Sequence, residues 1–282
     1  MPDYDSHSKM LEELGITDDY INASKVFVRA ELSPEDRAVF SDINSWKFSV
    51  DQDITPEWFD KKDCAERMRK AVKEWTKTHI FIGQNDLEIS HGENIFIKDC
   101  KNVSICGTTT VENICGTTVV EDICGTATVN SIYDTTIVNC ILDNATVKNI
   151  HGTAAVKYIY GNATVKCIYG NAKVKSIYDN AVVRYACGNT TIKYICDSAI
   201  INNIYDNASV KNACGNALVN NICNNATVEY VYENAMVISS SYIKWNNSAS
   251  LVVSDNAMFK DCYAKTAFHA GKWKFIEVKY EN

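Results

Sequence analysis

The sequence predicts an all-β fold, a single-chain parallel β-solenoid (β-helix) of nine-residue repeats. Three observations predict it. Isoleucine or a smaller apolar substitute recurs every nine residues from Ile105 to Val231, through fifteen nonapeptides with no insertion or deletion. Six residues after each of these stands Val or Ile, and two before that stands Ala or Thr, as in Thr109-Thr110-Val111 and Ala163-Thr164-Val165. Gly or Asp followed by Asn or Thr precedes most of these triplets.

Each observation has a physical meaning. A small buried residue, a free one and a β-branched one is the period-2 alternation of a strand with one face inward. Gly-Asn and Asp-Asn supply turn chemistry. A nonapeptide is therefore a short strand plus a corner. It cannot bury its own face, but stacked coils can, with strands about 4.8 Å apart. Nine residues cannot hold two helices, so a helical solenoid is excluded. The three-residue step from Val111 to Ile114 breaks strict alternation and places a bend at Glu112-Asn113 and its equivalents. Coils of 18 or 27 residues both fit. The block 177–203 resembles 204–230, which speaks for 27, although a duplication of 27 residues explains it equally well.

The organisation follows the register. Residues 1–104 form an α/β N-terminal cap, 105–237 the solenoid, and 238–282 an irregular β C-terminal cap with a closing strand near 272–280. Solenoid ends need covering because they expose strand edges. Within the first region, residues 60–78 read as an amphipathic helix with Asp60 as N-cap and Ala65, Met68, Val72 and Trp75 on one face. A short helix is expected at Lys9–Leu14, stopped by Gly15. KVFVRAEL (25–32) and SWKFSV (45–50) alternate like strands.

The net charge of −7 is uneven. Residues 1–104 carry 14 Lys and Arg against 21 Asp and Glu, whereas 105–237 carry 8 against 10. The start of the chain lacks a basic-then-apolar leader pattern, and no apolar run is long enough for a membrane helix. The expectation is a cytoplasmic protein without a membrane partner, its twelve cysteines reduced. No Cys-x-x-Cys pair occurs, and no metal or cofactor is expected.

Three columns of the repeat invite chemistry. The Asn/Thr column is read as a corner ladder of stacked amides; the Thr-rich early rungs suggest an ice-binding array, but Thr gives way to Asn. The Cys/Tyr column, with His151 alone among tyrosines, is read as a semi-buried corner. The outward column after Val holds Lys148, Lys157, Lys166, Lys175, Arg184 and Lys193 in succession, with Tyr158, Tyr185 and Tyr194 beside them. Basic residues interleaved with aromatics are a footprint of nucleotide or nucleic-acid binding, though a coil divides them among two or three faces. No P-loop, Gly-x-Ser-x-Gly or paired-carboxylate motif is present. Asp134, Asp143, Asp179, Asp197 and Asp206 replace the turn Gly.

The phrases GNATV, DNATV and NNATV resemble the repeats of uncharacterised β-solenoid proteins of bacteria and their phages, and DITPEW…AERMRKAVKEW resembles the cap that accompanies them. A looser resemblance is to pentapeptide-repeat proteins. Both imply a stacked β fold and a bacterial or infected-cell cytoplasm, and neither transfers a functional residue. The function expected is a non-catalytic solenoid that binds another macromolecule, a protein first, as a phage-encoded inhibitor or scaffold. The alternatives are nucleotide or nucleic-acid binding by rungs 148–194, and an enzyme whose site lies near Trp245, His269 and Trp273. Homo-oligomerisation stays open.

Overall fold

The computed structural model describes residues 12, 15, 28–34, 43–52, 55–239, 252–261, 266–269 and 276–277. The chain divides into two compact units, Met1–Ile80 and Phe81–Asn282.

In the first unit, Ala30–Ser33 pairs antiparallel with Lys47–Val50; the first overlaps the end of the segment 25–32 and the second lies within 45–50, the two segments whose alternation reads as strand. The amphipathic segment is a helix, Lys61–His79. It starts where the Asp60 carboxylate accepts hydrogen bonds from the backbone N–H groups of Lys62 (2.8 Å) and Asp63 (3.0 Å), two donors that no helical carbonyl can reach. Val72 is buried, and Ala65, Met68 and Trp75 lie half-buried on the same face. Arg69 ties the helix to the turn Ile43–Ser45 by donating to the carbonyls of Ile43 and Trp46. Of the expected Lys9–Leu14 helix, Glu12 is helical and Gly15 donates to its carbonyl; the rest lies outside the described residues.

The second unit is the parallel β-solenoid. Successive nonapeptides alternate between two sheets, of ten and thirteen strands among the described residues. Thr146–Ile150 pairs with Thr164–Ile168 on one sheet, and Ala155–Ile159 pairs with Lys173–Ile177 on the other. Residue i therefore sits beside residue i+18, which decides coil size: two nonapeptides make one turn. The 27-residue similarity is a property of the sequence alone. Its equivalents Ala186 and Ala213 end strands on opposite sheets.

The core lies between the two sheets. The Ala/Thr, Val and Ile columns are buried along the whole repeat. The few hydroxyls in the Ala column are satisfied locally: Thr109, Thr118, Thr136 and Thr190 each donate to the carbonyl three residues back, at 2.6–2.8 Å. The expected bend at Glu112-Asn113 is not a break in the strand, because Thr110–Cys115 runs through it. It is a step inside the strand. Two consecutive side chains stay outward, and the first of the two has no Cα partner in the register.

Stacked strands also extend beyond the nonapeptide register. Asn85–Ile89 pairs with Lys101–Ile105, with Ile89 beside Ile105, so the first coil is sixteen residues long and out of phase with the later ones. Past Val237 the coil lengthens: Met236 pairs with Met258, 22 residues on. Met258–Asp261, Thr266–His269 and Ile276–Glu277 then pair antiparallel, a β ending inside the region expected to close the fold.

The turns are held by one backbone conformation. The Gly/Asp column adopts positive φ throughout, from Gly107 (65°) to Glu233 (59°). A side chain there is strained, and a Cβ on Gly170 would lie 3.1 Å from the Gly152 nitrogen in the coil before. Asp tolerates the position because its carboxylate accepts from that same nitrogen in the preceding coil: Asp134 from Gly116, Asp143 from Gly125 and Asp206 from Gly188, at 3.0–3.1 Å. Glu233 does the same for Gly215 (2.6 Å). Gly170→Ala is expected to lower stability by about 1–2 kcal/mol, while Gly170→Asp regains about 1 kcal/mol of that through the new hydrogen bond. Urea unfolding tests the order; an Ala variant as stable as the Asp variant contradicts it.

Candidate functional site

The corner columns are architectural. Asn162 donates to Asn144, Asn180 to Asn162, and Asn207 to Asn189, at 3.1–3.4 Å, so the Asn column is the amide ladder its sequence suggests. Where Thr replaces Asn, as at Thr126, Thr135 and Thr153, the hydroxyl donates to a turn carbonyl of the coil before. The residue is exchanged, but a bond between coils is kept.

The Cys/Tyr column departs from expectation. Cys106 pairs with Cys124, and Cys196 with Cys214, as disulfides, so the twelve cysteines are not all free thiols. The reason is geometric. Residues 18 apart are neighbours in one column, with Cα atoms 4.6 Å apart in both pairs. A search for Cys-x-x-Cys spacing cannot find such pairs. Elsewhere in the column rings stack. His151 lies between Tyr133 (5.2 Å) and Tyr169 (4.8 Å), and Tyr160 stacks on Tyr178 at 5.0 Å. Burial and contact with Cys115 push the Tyr133 phenol well above its ordinary range. Burial pushes Tyr160 and Tyr205 up to about 12.

The outward basic column is the candidate site, and the 18-residue coil deals it onto two faces. Lys157, Lys175, Lys193, Tyr158 and Tyr194 belong to the ten-stranded sheet; Lys148, Lys166, Arg184 and Tyr185 belong to the thirteen-stranded sheet. The nine residues are thus not one patch. On the ten-stranded face Lys211 continues the row, giving four lysines on four successive coils. The row is bounded by Glu121 and Asn139 before it and Glu229 after it. Asn139 donates to Glu121, which occupies that carboxylate. None of the four lysines lies within ion-pair distance of a carboxylate among the described residues.

The two faces differ in one further column, two residues before the lysines. On the thirteen-stranded face it runs Thr146, Thr164, Val182, Ile200, Leu218 and Met236, the last three beyond the basic residues; on the ten-stranded face it runs Ala155, Lys173, Thr191 and Ser209. A trough lies along the ten-stranded face. Val156, Val174 and Ile192 at its floor are 2% exposed, whereas Val147, Val165 and Val183 opposite are 0%. The resulting groove, about 610 Å³, runs along the face from Ile137 to Glu229. The lysine row forms one wall, and Lys173, Thr191 and Ser209 stand in the other.

The tyrosines flank the lysine wall. The Lys175 ammonium lies 5.2 Å from the Tyr158 ring centroid and 3.2 Å from its hydroxyl; Lys193 lies 5.2 Å from the Tyr194 ring centroid. These are cation–π contacts at half-exposed rings. Lys173 and Lys211 were absent from the sequence-predicted set. Lys211 stands in the same nine-residue column past Asn202, and the eighteen-residue coil joins it to the row; Lys173 lies two residues before Lys175, in the other wall. The alternative centre near the C-terminus falls on residues of which little is described: Trp245 and Trp273 lie outside the described residues, and His269 is placed only as backbone in Thr266–His269.

With this geometry established, comparisons add no identity. No protein-family model matches the sequence, and no curated protein or solved structure matches it.

His151 gives a pH prediction for the column. Burial between its neighbours lowers its pKa, against a smaller raising effect of Asp134. The unfolded chain, titrating at about 6.5, then binds the proton first. Stability is therefore full above about pH 6.5 and falls as pH drops through it, until the folded-state pKa is passed. His151→Tyr, which matches the column, is expected to flatten that part of the profile. Unfolding midpoints measured from pH 8 to 5 check it, and an unchanged slope refutes it.

Proposed function

We propose that this chain is a binding scaffold whose working surface is the basic groove of the ten-stranded sheet. One observation carries the reading: four successive coils each present a lysine with no carboxylate partner among the described residues, along one wall of a groove. Like charges in adjacent rungs repel, so the core gains nothing from the row. A ligand that carries negative charge along a line relieves that repulsion.

Two features support a scaffold role. The solenoid is ordered before binding, so little conformational entropy is lost on docking. Its groove is wide-mouthed and repetitive, which suits a macromolecule better than a small substrate. The kinship to bacterial and phage solenoids suggested by the GNATV phrases belongs to the same proposal, as does the cytoplasmic setting. The thirteen-stranded face, where Lys148, Lys166 and Arg184 are followed by Asn202 and Asn220, serves as the internal control.

The test compares the two faces. At low salt the protein is expected to be retained on heparin. The triple variant Lys157→Glu, Lys175→Glu, Lys193→Glu should elute in the void. The matched variant Lys148→Glu, Lys166→Glu, Arg184→Glu makes the same charge change on the other face and should stay retained. Loss of retention in both, or none in the parent protein, would remove the groove from consideration.

A further inference from the structure

Resting on that reading, we infer that the groove takes single-stranded nucleic acid, with phosphates along the lysine row and bases toward Tyr158 and Tyr194. Three observations converge on this class.

The lysine row repeats at the coil spacing, so its three steps span about 14 Å. A single strand with about five phosphates at a 3.4 Å rise covers that length. Lys173 adds a fifth cation on the opposite wall, and Thr191 and Ser209 offer hydroxyl donors there. A strand lying in the groove meets donors on both sides.

The tyrosines favour nucleic acid over a simple polyanion. Tyr158 and Tyr194 are two coils apart, about 9.6 Å, and each ring holds the ammonium of a wall lysine. An arriving phosphate draws that ammonium away. The vacated ring face then accepts a base, and base–aromatic stacking replaces the cation–π contact. Duplex DNA does not satisfy this arrangement, since its bases are paired inside the helix and no ring can stack on them.

Fluorescence anisotropy of the full chain with a labelled oligothymidylate tests the proposal, with a duplex of equal length and polyglutamate as competitors. The oligonucleotide should bind best. If all five lysines neutralise phosphates, log K against log salt should have a slope of about −3.5. Lys175→Gln should make it shallower by about 0.7. Tyr194→Leu should weaken single-strand binding about 5- to 100-fold while leaving the heparin retention of the scaffold test intact. If polyglutamate competes as well as the oligonucleotide, or Tyr194→Leu binds like the parent, the ligand is an acidic protein segment; the inference then falls and the basic working surface stands. If none of the three polyanions binds, both fall together.

Discussion

The whole second unit depends on one backbone contact: an N–H in each coil donates to a carbonyl nineteen residues earlier. Cys124 donates to Ile105, Thr126 to Gly107 and Thr128 to Thr109, and the series runs on to Asn234 and Met236 at 2.6–3.2 Å. These bonds pair nearly every strand with its equivalents above and below. They force residue i over residue i+18, so every property of the repeat becomes a column. A buried column must be filled by the same shape in each coil, and Ala, Val and Ile fill it. A turn column must hold positive φ in each coil, and Gly or a carboxylate that bonds the coil before it fills that.

Much of this was legible in the sequence because the columns repeat with little noise. The inward Ala and Val, the turn Gly and Asp, and the Asn corner ladder could all be placed from spacing alone. Coil size could not. Both nonapeptides of a coil obey the same rules, so the pattern carries no mark that separates two sides from three. That ambiguity hid the disulfide partners of Cys106 and Cys196, and it mixed Lys148 with Lys157 when they face opposite ways. The early coils were hidden for another reason. A sixteen-residue turn such as Ile89 to Ile105 still stacks through backbone bonds, yet leaves no nine-residue trace.

The groove is the product of a small asymmetry on an otherwise symmetric frame. Both faces carry cations, yet only on the ten-stranded one does the row reach a fourth coil, at Lys211, where the other turns to Asn202 beside Ile200. The buried columns are indifferent to this choice, since those side chains point outward. Surface character is thus free to differ between faces while the core stays uniform, and it is on this freedom that a binding function can act.

The two-sided coil also sets a rule for how such a chain can change in length. Adding or removing eighteen residues restores every column on its own side, and a cation row simply grows or shrinks by one member, like marks on a ruler. A nine-residue change satisfies the core equally well but exchanges the two sides for everything downstream. Removal of the nonapeptide 177–185 would send Lys193 and Lys211 to the face opposite Lys157 and Lys175. The fold would survive and the row would be cut in half, so for this molecule shape and surface are inherited in different units.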